Sequence, residues 1–270
     1  MLGRRTGLWL FTGLAGVVIV AAVLAPRVAQ PLSYHKFADT RGWFGIANFG
    51  DVASNIPFAI LGICGLVALR KNGSMAFLDP RERWPYLIIF AGFLLTAFGS
   101  SYYHLQPGNA RLVWDRLPMT LVFMGLVSAM ITERLSVSIG VRLLPLLLLV
   151  GAASVAQWYL SEIHGAGDLR FYAAVQVYAL AMVILSAFLP PRYTRNSDLA
   201  IAAGFYVLAK ICETADRQIF GAGHLVSGHT LKHLAAAVGG WWILRMLEKR
   251  TAMPGLAMEN KLNAQHILTS

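Results

Sequence analysis

Apolar residues run along this chain in eight long blocks, at roughly 8–26, 47–69, 86–104, 112–132, 142–160, 170–190, 198–216 and 226–247. Each is close to the ~20 residues that a helix needs to cross the hydrocarbon of a bilayer. Most connections between them are short, no stretch has room for a soluble domain, and there is neither a repeat nor a low-complexity tract. The pattern predicts an all-α, polytopic membrane bundle. Residues 1–30 form an extra N-terminal transmembrane helix, 31–250 a seven-helix core, and 251–270 a polar cytoplasmic tail. The opening run, MLGRRTGLWLFTGLAGVVIVAAVLAP, also has the basic start of a signal segment. Its apolar part is longer than a usual signal core, so it reads as a retained helix.

Composition sharpens this. Of the 270 residues 57% are hydrophobic and 13% charged, and the mean hydropathy is +0.58. Soluble domains carry about 25% charged residues. The net charge of +10 does not point to nucleic acid, because the Lys and Arg residues are spread through short loops instead of forming one patch. With the N-terminus in the cytoplasm, fourteen of them fall on inner segments and seven on outer ones, with Lys210 and Lys232 inside spans. That bias places both termini in the cytoplasm, and the short loops fit a bacterial inner membrane. Cys64 and Cys212 lie in apolar runs and read as small hydrophobes, not as a disulfide.

Against this background the stretch GSSYYHLQPGNARLVWDRLPM, residues 99–119, is anomalous. His104 closes the third span and Asp115 opens the fourth, so both fall at the extracytoplasmic side. GHTLKH, at the start of the eighth span, falls at the same side. His229 and His233 are at i and i+4 and share one helix face. Two imidazoles so spaced reach one metal, and His104 is the natural third ligand. Three neutral ligands with a fourth position open describe a catalytic zinc site. A lone histidine at a membrane edge would be ordinary interfacial packing; three at one depth on two helices are not. His35, His164 and His224 stand in loops and read as solvated, and His266 falls in the tail.

A carboxylate within a span costs about 2.5–3.5 kcal/mol and tends to face an interior cavity. Asp115 is either salt-bridged to Arg111 or Arg116, or a general base at the metal. Ser100, one turn before His104, either packs helices, orients Asp115 or donates to a developing oxyanion. Lys210 and Glu213 are spaced to pair, and Glu213 is placed to reach Lys232 across the bundle. Asp51, Ser54 and Asn55 are either structural hydrogen-bonding groups, the favoured reading, or contacts to a lipid head group.

The set Ser100-x-x-x-His104, Asp115 and His229-x-x-x-His233 resembles the alkaline ceramidases, within the seven-helix membrane hydrolase superfamily that includes the adiponectin and progestin receptors. LPM at Leu117–Met119 and SN at Ser54–Asn55 resemble the ceramidase branch specifically. The resemblance covers residues 38–248. It implies Zn2+ held by His104, His229 and His233, with Ser100 and Asp115 assisting catalysis. The activity it implies is cleavage of the amide of a ceramide-like N-acyl lipid, reached from the membrane, into a sphingoid amine and a fatty acid. Two departures stand out. Arg116 occupies a position that is usually acidic, which favours a different, anionic head group. The family's acidic Ca2+ site is matched here only by Asp39, Asn48 and Asp51, which leaves calcium in question.

Two rival functions fit less well. A receptor-like protein of the same superfamily would need more surface for signalling partners than the short loops give. A transporter would distribute polar groups through the membrane depth, whereas these concentrate at one face.

Overall fold

The computed structural model of the protein describes residues 3–71 and 76–255, so most of the tail expected at 251–270, with Lys261 and His266, lies outside the described residues. Among the described residues the chain is all-α and has no strand. The helices are α1 (Arg4–Leu24), α2 (Phe49–Ala53), α3 (Ile56–Arg70), α4 (Arg83–Leu105), α5 (Asn109–Arg134), α6 (Val137–Ile163), α7 (Arg170–Ser186), α8 (Ser197–Thr214), α9 (Asp216–Gly221) and α10 (Gly228–Lys249).

Each of the eight apolar runs contains a helix, but they are not equal. Five stretches are long and apolar enough to cross a membrane: α1, Phe49–Arg70, Pro80–Leu105, α5 and α6. α7 is apolar but has 17 residues. α8 carries Asp198, Lys210 and Glu213, and α10 carries His229, Lys232 and His233 in its first turns. Their polarity is the chemistry of the site. Large apolar side chains such as Trp9, Phe98 and Leu149 point outward from the bundle. A soluble protein does not display such a surface, and a lipid-facing one does.

α5 sits at the centre, flanked by α4, α6 and α7. α4 also packs along α3, α8 runs along α10, and α10 returns to α3. Ile89, Phe90, Val127, Met130, Met182 and Leu247 are fully buried where these helices meet. In lipid these contacts gain little from the hydrophobic effect, because acyl chains are as apolar as leucine. Close packing and internal hydrogen bonds carry the association instead. α1 lies against α7 and buries Gly7, Phe11 and Ala22. It is tied there by Arg170, which donates to the carbonyls of Val23 (3.1 Å) and Ala25 (2.5 Å).

Polar side chains are buried at both ends of the bundle. At the end away from His104, Glu133 accepts from Arg250 (2.5 Å) and from Tyr86 (2.6 Å). Arg134 donates to the Ser186 carbonyl and to Asn196. Glu82 takes Arg192 (3.1 Å) and the Tyr193 hydroxyl. Arg134 and Arg250 read as loop charges in the sequence; both are buried. They close the ends of α5 and α10 with an internal ion pair rather than with solvent.

Candidate metal centre

The site is assembled at the opposite end, where α4 finishes and α5 and α10 begin. His104 is in the last turn of α4. Asn48 holds that turn: its backbone is left-handed (φ 48°), a conformation asparagine tolerates, and its side-chain amide donates to the His104 carbonyl at 2.7 Å. Gly99 lets α4 approach α5 so closely that a Cβ there would collide with the Trp114 carbonyl. This contact sets Ser100 and Asp115 in the lining of one cavity.

α10 starts with Ser227 as its cap. The Ser227 hydroxyl accepts from the Thr230 backbone N–H at 3.0 Å. Asp216, at the start of α9, takes the His229 backbone N–H at 2.8 Å and the Ala38 N–H at 2.9 Å. Two of the orphan donors of the first turn are thereby satisfied. Gly228 is forced by space, since a Cβ would strike the Cys212 carbonyl and the Asp216 backbone. The turn that carries His229 and His233 is thus anchored before either ring is placed.

His104, His229 and His233 converge, and their available ring nitrogens all lie within 4.8 Å of one another. The ring centroids are 4.8 to 5.0 Å apart. All three are buried, His104 completely. Nδ1 and Nε2 of His104 and Nε2 of His229 have no hydrogen-bond partner among the described residues. Buried polar atoms are rarely left so, because each costs a desolvation penalty. A shared ion removes the anomaly, and three imidazoles are a donor set that zinc accepts. The residues therefore fit a metal. Among the described residues this is the one group of three or more His, Cys, Asp or Glu so placed.

His233 is oriented by Ser54. The Ser54 hydroxyl donates to the Asp51 carbonyl (3.0 Å), so its oxygen accepts from His233 Nδ1 at 2.8 Å. The proton on Nδ1 leaves the Nε2 lone pair for the metal. Ser54 is thus more than a helix-packing group. Phe37 closes the centre from the loop side, with its ring 4.7 Å from that of His104 and 4.8 Å from that of His229. No periodicity marks a loop phenylalanine, so sequence reasoning passed over it.

The remaining expectations divide. Glu213 pairs with Lys210 (2.8 Å) and with Lys232 (3.0 Å), as its spacing predicts. Asp115 forms a salt bridge with neither Arg111 nor Arg116; Arg111 lies over the Tyr102 ring instead. His164 and His224 are exposed, but His35 is half-buried and bonded to Tyr103 (2.9 Å) and Asn109 (2.8 Å), so the solvated reading of it is corrected. Of the three candidate calcium donors, Asp39 is held by Arg41 (2.7 Å), which keeps its carboxyl below the usual range. Asn48 donates its Nδ2 to the His104 carbonyl, which does not engage its Oδ1, and Asp51 Oδ1 accepts from Thr230 (2.9 Å) and Ser227 (3.2 Å) while Asp51 Oδ2 has no partner among the described residues. Cys64 and Cys212 are free thiols.

A cavity of about 400 Å3 opens from this centre into the bundle. Ser100, Asp115, Arg116, Lys232 and His233 line its polar end, and Phe93, Val122, Phe123, Val183 and Ile243 its apolar walls. Its lining follows α7 from Leu169 to Val183 and α8 from Leu199 to Glu213. At about 1.5 Å per residue, either stretch is roughly 21 Å long. Ala173 on α7 and Lys210 on α8 line it and are themselves exposed. No protein-family model matches the chain, and no curated protein matches it.

Proposed function

We propose that this protein is a zinc-dependent membrane hydrolase that cleaves the amide bond of a ceramide-like N-acyl lipid, releasing an amine and a fatty acid. One observation carries the reading: three buried imidazoles converge, two of them with nitrogens that have no partner among the described residues, and the third, His233, lines the polar end of a long apolar cavity. The resemblance of the Ser100, His104, Asp115, His229 and His233 pattern to the alkaline ceramidases supports the same chemistry. When bound, zinc would supply Lewis-acid polarisation of a carbonyl and a water whose pKa is lowered toward about 7.

The chain's own groups do the rest. The apolar walls hold the acyl chain along α7 and α8, which brings the amide to the polar end. Asp115 lines the cavity and makes no ion pair among the described residues, so its carboxylate is placed to take a proton from the attacking water. It returns that proton to the nitrogen of the leaving amine as the C–N bond breaks. Ser100, which lines the cavity together with Asp115, either steadies Asp115 or donates to the oxygen that gains charge. Phe37 and the neighbouring loop limit bulk water at the centre. With both termini cytoplasmic, the site faces the extracytoplasmic side of a bacterial inner membrane.

The test is metal analysis of the purified protein, followed by incubation with N-acyl lipids with and without a chelator. One zinc per chain and chelator-sensitive release of fatty acid are expected. Metal-free protein that still releases fatty acid would refute the reading.

A further inference from the structure

Three arginines are buried among the described residues: Arg116, Arg134 and Arg250. Arg134 and Arg250 share Glu133. Arg116, only 5% exposed, has no carboxylate partner. Its Nη2 donates to the Gln30 side-chain carbonyl at 2.5 Å, and its Nη1 is without a partner. The guanidinium lies over the rings of Trp158 (4.1 Å), Tyr172 (4.8 Å) and Tyr34 (5.7 Å). These faces offset part of the cost of burying the cation, but a ring is no substitute for a counter-ion.

The nearby acids are engaged or turned away. Glu213 is taken by Lys210, Lys232 and the Tyr34 hydroxyl at 3.0 Å; burial keeps that phenol protonated, its pKa well above the ordinary value. Glu162 accepts from the Gln30 N–H (2.7 Å) and the Trp158 indole (3.2 Å). Asp115 is next in sequence and shares the cavity; Arg116 acts on it electrostatically, but the two form no ion pair, since successive helical residues point about 100° apart. Arg116 and Gln30 line the same cavity as Asp115 and Ser100. With Lys210 and Lys232, the cavity presents three cations against the carboxylates of Asp115 and Glu213.

We infer that Arg116, caged by Gln30, Tyr34, Trp158 and Tyr172, is a subsite for an anionic group on the amine half of the substrate. The substrate class is then an N-acyl amine bearing a carboxylate or a phosphate near the amide, in preference to a neutral sphingoid. The inference rests on the hydrolase reading for the placement of the amide, but the subsite itself is a binding property.

It is tested by equilibrium binding to the full chain in lipid nanodiscs, using N-oleoylglycine, N-oleoyl-phosphoethanolamine and neutral N-oleoylethanolamine. A charge-assisted hydrogen bond predicts that one or both anionic lipids bind about tenfold or more tightly than the neutral one. The two anionic arms tell carboxylate from phosphate. In Arg116→Gln this ratio should collapse to near unity, with neutral-lipid binding kept. Equal or tighter binding of the neutral lipid by the unaltered protein overturns the inference, as does an equal loss of all three lipids in Arg116→Gln. Should that variant not fold, the ratio measured on the unaltered protein decides alone. Product release is scored in the same samples. Preference without hydrolysis leaves the subsite standing and removes the hydrolase, whereas hydrolysis without preference removes only the subsite.

Discussion

His233 Nδ1 lies 2.8 Å from Ser54 Oγ, across the seam between the start of α3 and α10. Because that hydroxyl is already donating to the Asp51 carbonyl, the imidazole must be the donor, and its tautomer is fixed before any ion arrives. Ser54→Ala removes the acceptor and frees the ring to rotate or change tautomer. Loss of such an outer partner typically lowers metal affinity 10–100-fold, so a weakening of about that size is expected in competition with a chromophoric chelator. Unchanged affinity would mean that Ser54 serves helix packing alone.

The three imidazoles should act as one unit. Alanine at His104, His229 or His233 is expected to take bound metal from one per chain to near zero, with monodispersity retained in gel filtration. Removing the metal from the unaltered protein should lower its melting temperature, because an ion that binds only the folded state stabilises it by mass action. A melting curve indifferent to chelator would exclude a bound ion at this centre.

Gly99→Ala addresses the approach of α4 to α5. The added methyl meets the Trp114 carbonyl, and the helices must part. A loss of about 1–3 kcal/mol is expected from such overpacking, read as a lower melting temperature. If Ser100 and Asp115 work together, fatty-acid release should fall further than metal content does.

At the other end of the bundle, Glu133→Gln leaves Arg250 buried without its carboxylate. Breaking a buried pair by removing one partner costs about 3–5 kcal/mol. The variant should therefore unfold at markedly lower temperature, yet bind metal with unaltered stoichiometry while folded, because the centre lies a bundle's length away. Normal thermal stability would show that solvent reaches this pair.

Much of this was legible in the sequence. Block lengths near 20 residues predict the helices, and i, i+4 spacing predicts that His229 and His233 share a face. The pairing of Glu213 with both lysines follows from helix geometry and from the scarcity of other partners in lipid. What could not be read depends on how non-adjacent segments fold over one another. His35 looks like any loop histidine until Tyr103 and Asn109 close around it. Arg134 and Arg250 resemble topology-setting charges because their partner Glu133 comes from a helix end and not from a loop. Arg116 stood out as an unusual residue, but its aromatic cage gathers residues from three distant stretches, and no local pattern announces that.

The segment between α1 and α2 has a consequence for traffic. Gln30, Tyr34, His35 and Ala38 are each hydrogen-bonded to a different part of the bundle, and Phe37 rests on the imidazoles. This is a riveted roof, not a swinging door. On the proposed reading, the greasy reactant cannot come from above and must slide in sideways between the helices.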